Sequence, residues 1–152
     1  MGIEEVFDMQ VSSRFTIAIH MFACMEYFQK DYKITSDFLA SSVNVNPVII
    51  RKIMSQLRDA GLVNVARGTG GITLARPAKE ITLLDVFNAV DSLDEGHLFH
   101  FHENPNADCP VGSKIHLILD DKLDRVQKAM EDELSSMTIA DVVKDTKKYA
   151  GT

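Results

Sequence analysis

Within residues 46–56 the chain gathers Asn46, Val48, Arg51, Lys52, Ser55 and Gln56. These side chains suit contact with a DNA duplex: the polar ones hydrogen-bond base edges, the valine meets a thymine methyl, and the cations also hold phosphate. Between them Ile50, Ile53, Met54 and Leu57 recur at the three-and-four spacing of one helix face. Burying that apolar stripe leaves the other six together on the outside, as a helix entering a major groove requires. Arg67 adds a cation beside Gly68, Gly70 and Gly71. Glycines there let the backbone approach a sugar-phosphate strand, or let the arginine enter a minor groove. Arg14 is a further candidate phosphate contact.

The elements that must position these groups are legible from local signals. Ser12-Ser13 reads as the cap of a first helix carrying Phe15, Ala18, Ile19, Phe22, Met25 and Phe28 to about Lys30. Thr35-Ser36 caps a short second helix that ends at Asn44, a residue tolerant of the left-handed conformation. Asn46-Pro47 reads as N-cap and first helical position of the third helix, and Gly61 as its stop. Residues 62–66 and 72–75 alternate as two strands around the turn 67–71, a hairpin. Pro77 closes it. Thr82 and Asp85 then open a fourth helix with Leu84, Phe87, Val90 and Leu93 inward, ending near Gly96.

Residues 97–112 are polar, with two prolines, and read as a loop. Ile115, Leu119, Leu123, Val126, Met130, Leu134 and Met137 mark a long helix over about 113–136. At 1.5 Å per residue it is about 36 Å long, more than a small winged-helix core covers, so a second chain is expected to bury the remainder. The expected fold is mainly α with a small β-hairpin. Residues 1–11 are an N-terminal extension, with Met9 an alternative start. Residues 12–96 form a winged helix-turn-helix DNA-binding domain, 97–112 a loop, and 113–145 a dimerisation helix and C-terminal segment.

Composition sets the outer bounds. With 45% hydrophobic and 25% charged residues, the sequence is that of an ordinary globular domain. No apolar run approaches membrane-spanning length and the start is acidic, so the expected location is cytoplasmic. The net charge of −6 conceals an asymmetry. Between Lys33 and Arg76, six basic residues (Lys33, Arg51, Lys52, Arg58, Arg67, Arg76) stand against two acidic ones (Asp37, Asp59), a local +4 that leaves −10 for the rest. That fits a basic face meeting phosphates on an acidic body.

The runs Ser13-Arg14-Phe15-Thr16-Ile17-Ala18, Val45-Asn46-Pro47-Val48-Ile49-Ile50-Arg51-Lys52-Ile53, Leu57-Arg58-Asp59-Ala60-Gly61-Leu62-Val63, residues 67–76 and Ile81-Thr82-Leu83-Leu84-Asp85-Val86 resemble the Rrf-two family of winged-helix regulators. Among its members are iron-sulfur, nitric-oxide-sensitive and cysteine-metabolism regulators. The resemblance covers roughly residues 9–145. It implies a homodimer built on the first and long C-terminal helices, binding a near-palindromic operator on double-stranded DNA, usually as a repressor. Cluster-bearing members use three cysteines in the loop before the dimer helix, whereas this loop has only Cys109. No iron-sulfur cluster is therefore expected, and the chain resembles the clusterless branch. The glycine turn is about one residue shorter than the family pattern.

Cys109 remains as a candidate redox sensor, although Asp108 beside it is expected to raise the thiol pKa. Cys24 lies in an apolar helical pattern and reads as core. His97, His100, His102 and His116 show no recognised metal spacing, so no metal is expected. There is no phosphate loop, nucleophile elbow or carboxylate-pair motif, and an enzyme is not expected. The alternative to a DNA-binding regulator is a winged helix used for protein contact or dimerisation.

Overall fold

The computed structural model describes residues 3–68, 71–91, 98–99 and 102–151, with the side chains of the first helix described from Ser13 onward. In chain order these form α1 (Ile3–Phe28), α2 (Ser36–Val43), α3 (Pro47–Asp59), β1 (Val63–Val65), β2 (Ile72–Leu74), α4 (Leu83–Val90), α5 (Ile115–Ser135) and α6 (Ile139–Ala150). The fold is mainly helical with one small antiparallel hairpin, as the sequence predicts. Leu93, His97 and His100, like Thr69 and Gly70 of the expected turn, lie outside the described residues.

Side-chain caps set the two central helices. Thr35 takes extended backbone and its hydroxyl accepts the Phe38 N–H at 3.1 Å, starting α2. Asn44 closes it in the left-handed region (φ 65°), with its own N–H and that of Val45 both bonded to the Ala40 carbonyl. The expected sharp turn is thus made by an asparagine, and Val45 packs half-buried against the core. At the far end of α3, Gly61 (φ 77°) donates to Arg58 O at 2.9 Å and Leu62 to Leu57 O at 3.0 Å. This pair of bonds turns the chain straight into β1.

The hairpin pairs Val63 with Leu74, Asn64 with Thr73 and Val65 with Ile72. It is also tied to the segment before α2, because the Ile72 N–H donates to Ile34 O at 2.8 Å. Gly71 makes that approach possible: a Cβ there would stand 2.9 Å from the Ile34 oxygen, and φ is +84°. One core results. Ala18, Met21 and Phe22 of α1, Leu39 of α2, Ile50, Ile53 and Leu57 of α3, Leu62, Val63 and Ile72 of the hairpin, and Val86 and Val90 of α4 are buried together.

Three expectations are corrected. α1 begins at Ile3 and not at Ser12-Ser13, so the segment 3–11 of the expected extension is continuous with it. A serine caps only from extended backbone, and both serines lie inside the helix, where the Ser13 carbonyl also accepts the Thr16 hydroxyl at 3.1 Å. α4 stops at Val90 and not near Gly96, because Asp91 turns to extended backbone while its N–H closes the last turn on Phe87 O. Val86 and Val90 are its fully buried residues, Leu84 and Phe87 being half-buried. Downstream of α5, the Thr138–Asp141 capping box starts α6, which returns to the core through buried Ile139 and Val143. The Leu83 N–H donates to Met137 O and the Ile139 N–H to Ile81 O, binding the C-terminal segment to the winged body.

α5 is different. None of its residues is buried, and Leu117, Ile118 and Val126 are among the exposed large apolar side chains. No helix among the described residues is long and apolar enough to cross a membrane.

Candidate nucleic-acid interface

The position of α3 follows from its two faces. Ile50, Ile53, Met54 and Leu57 point into the core, which turns Val48, Lys52 and Ser55 to the opposite side at 100° per residue. Arg51 and Lys52 are exposed, and neither has an ion-pair partner among the described residues. Arg67, on the hairpin tip, is likewise exposed and unpaired among them. These three are free cations for phosphate or for a guanine edge.

A cleft of about 350 Å³ opens between the start of α2, one flank of α3 and the hairpin, lined in part by Ser36, Arg51, Ser55, Arg58 and Gly68. It brings two guanidiniums to the first turn of α2, whose dipole also favours an anion. Asp37 lines the same cleft and Asp59 stands 3.4 Å from Arg58, so the cationic character is moderated at that edge. The arrangement suits a backbone phosphate running between wing and helix. Arg58 was not among the sequence candidates. Its spacing of seven from Arg51, two helical turns on the same flank, is the signal that would have found it.

Other candidates have more specific environments. The Asn46 side-chain oxygen accepts the Val48 N–H at 2.8 Å, so this amide starts the helix. Val48 is exposed, as is Ile49, which the sequence pattern did not single out. Gln56 is half-buried, and its side-chain oxygen is buried without a hydrogen-bond partner among the described residues. Arg14 is not part of the cleft lining. It lies within electrostatic reach of Asp91, a carboxylate only 3% exposed at the end of α4 with neither oxygen hydrogen-bonded among the described residues. Burial pushes the Asp91 pKa up to about 6, against the opposing pull of Arg14.

Cys109 sits half-buried just before α5. The backbone N–H groups of Gly112 and then Val111 hold its thiol below the ordinary cysteine pKa, outweighing a small burial effect. This reverses the direction expected from Asp108, since N–H groups directed at sulfur act more strongly than an exposed neighbouring charge. Cys24 is buried, donating from sulfur to Ser42 Oγ at 3.2 Å, and Ser42 Oγ also contacts His20 Nε2 at 2.9 Å. His102 is exposed and His116 stands 3.8 Å from Asp120. Among the described residues no group of three metal-ligating side chains comes together.

Residues 11–145 match the family model Rrf2, described as iron-dependent transcriptional regulator. YwnA of Bacillus subtilis, named as an HTH-type transcriptional regulator, is 41% identical over 133 residues, 88% of this chain and 96% of that protein. A crystal structure of a protein described as DNA-binding is 36% identical with a TM-score of 0.66, over 85% of this chain and 97% of that one. A Lactobacillus plantarum transcriptional regulator superposes with a TM-score of 0.74 at 24% identity, over 90% and 91% of the two chains.

Proposed function

The chain belongs to the Rrf2 family of DNA-binding transcriptional regulators and is not an enzyme, and from that premise we propose that it acts in the cytoplasm as a homodimeric repressor on a near-palindromic operator. The observation that carries the reading is the face of α3 opposite its buried stripe, with Arg51 and Lys52 unpaired among the described residues and Arg67 on the adjacent hairpin. Two such heads bind one duplex when a second copy holds them one helical turn apart. The apolar stripe of α5, none of it buried within one chain, favours that second copy as its cover. Unpaired cations around a groove-sized helix face favour this reading over a winged helix used only for protein contact.

An iron-sulfur cluster does not fit the residues present. The full sequence holds two cysteines, of which Cys24 is in the core and Cys109 stands alone before α5; one accessible thiolate does not hold a cluster that needs several. The signal is better sought at Cys109, whose thiol is both accessible and acidified.

Fluorescence anisotropy against a random duplex and against duplexes selected by the protein tests the reading. Specific, steeply salt-dependent binding that Arg51→Ala weakens strongly supports it; indifference to all duplexes at low salt overturns it. For the thiol, a Cys109→Ser protein that released DNA under peroxide as readily as the unmodified chain would remove Cys109 from the signal path.

A further inference from the structure

Resting on the reading that α3 enters a duplex, we infer that this head recognises its operator through the C5-methyl groups of thymines, met by Val48 with Ile49 at its flank. Val48 is 60% exposed and Ile49 42% exposed. From Thr35 to Leu74, among the described residues, they are the two large apolar side chains left in solvent. Val48 also lies on the line with Lys52 and Ser55 that runs opposite the buried stripe, so an aliphatic group occupies the centre of the face that would meet the groove floor.

The tip of α3 offers little else. Pro47 has no N–H, the Val48 N–H is taken by the Asn46 side chain, and the Ile49 N–H by Asn46 O at 3.0 Å. The Asn46 amide oxygen is occupied by the cap. With its first backbone donors satisfied, this helix start does not grip a phosphate through those amides; beside the Asn46 side-chain amide, what it projects is methyl groups. In the major groove only thymine presents a methyl, and its position separates A·T from T·A and both from G·C pairs. The cations Arg51 and Lys52, about one turn further on, then hold phosphate or a guanine edge beside it.

Removing a methyl buried against such a side chain weakens binding about fourfold, and one methyl in each of two half-sites by about an order of magnitude. The test takes duplexes selected by the full chain from a random-sequence pool and resynthesises them with deoxyuridine for thymidine, one position at a time, at fixed salt. The expected result is a thymidine in each half-site whose replacement costs about fourfold. A Val48→Ala protein should lose most of that penalty, while Lys52→Ala protein keeps it in full. Because Val48 is exposed, the alanine variant folds as the parent does. Selected duplexes bound equally well with uracil throughout would overturn the inference and leave the DNA-binding reading standing. Absence of any duplex binding would overturn both.

Discussion

The side-chain oxygen of Asn46 accepts the backbone N–H of Val48 at 2.8 Å, and this bond sets where α3 begins and therefore which residues lead it into a groove. Replacing Asn46 by alanine leaves that donor unsatisfied and should cost about 1 kcal/mol of stability. Asn46→Ser keeps an acceptor in place and should cost a few tenths at most. Asn46→Asp should match the parent in stability, since a negative charge suits a helix start, yet weaken DNA binding by repelling phosphate. Urea unfolding of the three variants, paired with anisotropy, separates the capping role from a DNA-binding one.

Arg51 and Arg58 lie on one flank of α3 and line the cleft under the hairpin. If the cleft takes a phosphate, Arg58→Gln should weaken specific and random duplexes alike. The slope of log K against log salt should fall by about 0.9 for each phosphate no longer neutralised, hence by about 2 for a dimer. The ion pair of Arg58 with Asp59 is exposed, so stability should change by less than about 0.5 kcal/mol. An unaltered salt slope would place the phosphate elsewhere.

Much of this interface was legible because its signals are local. Thr35, Asn44, Asn46-Pro47 and Gly61 each act on residues within one turn, and each does in the structure what its type suggests. The failures are non-local or depend on competing backbone states. Ser12-Ser13 resembles a cap only until the upstream residues are known to be helical. That Arg14 faces a buried carboxylate required the packing of α1 on α4. The acidity of Cys109 depends on where two backbone N–H groups point, which a flanking aspartate in the sequence does not reveal.

Asp91 gives the fold a pH dependence of unusual sign for a carboxylate. Its folded pKa, about 6, lies above the ordinary 3.8, so the folded state binds the proton more tightly than the unfolded one. Stability from this group is fully present below about pH 4 and is lost as pH rises through 6, by on the order of 3 kcal/mol. Asp91→Asn should flatten that segment of the profile. Urea midpoints from pH 4 to 8 check it, and a variant whose profile still falls between 4 and 6 would assign the slope to another group.

Cys109 should react with iodoacetamide at a lower pH than a free thiol in a peptide, because Gly112 and Val111 stabilise the thiolate. Cys24 should stay unlabelled until denaturant opens the core. Mass spectrometry of the two peptides against pH reads both at once. A Cys109 inflection at or above that of the reference peptide contradicts the backbone stabilisation.

The last test concerns α5, about 32 Å long at 1.5 Å per residue over its 21 residues. Ile115, Leu119, Leu123, Val126, Met130 and Leu134 fall on one face of it, yet no residue of the helix is buried within the chain, and Val126 is 52% exposed. Such a stripe, half-buried at five positions and exposed at Val126, favours association, whereas Asp124 lies on the opposite face at 100° per residue. Val126→Glu therefore removes nothing from the folded monomer but places a charge in the proposed dimer seam. Sedimentation should shift from dimer to monomer, and affinity for a two-half-site duplex should fall about a hundredfold or more, because each head then binds without its tethered partner. Asp124→Lys should leave the dimer intact. A Val126→Glu protein that stayed dimeric and bound DNA as before would move the seam to another surface, and the spacing of the two reading heads would have to be set there.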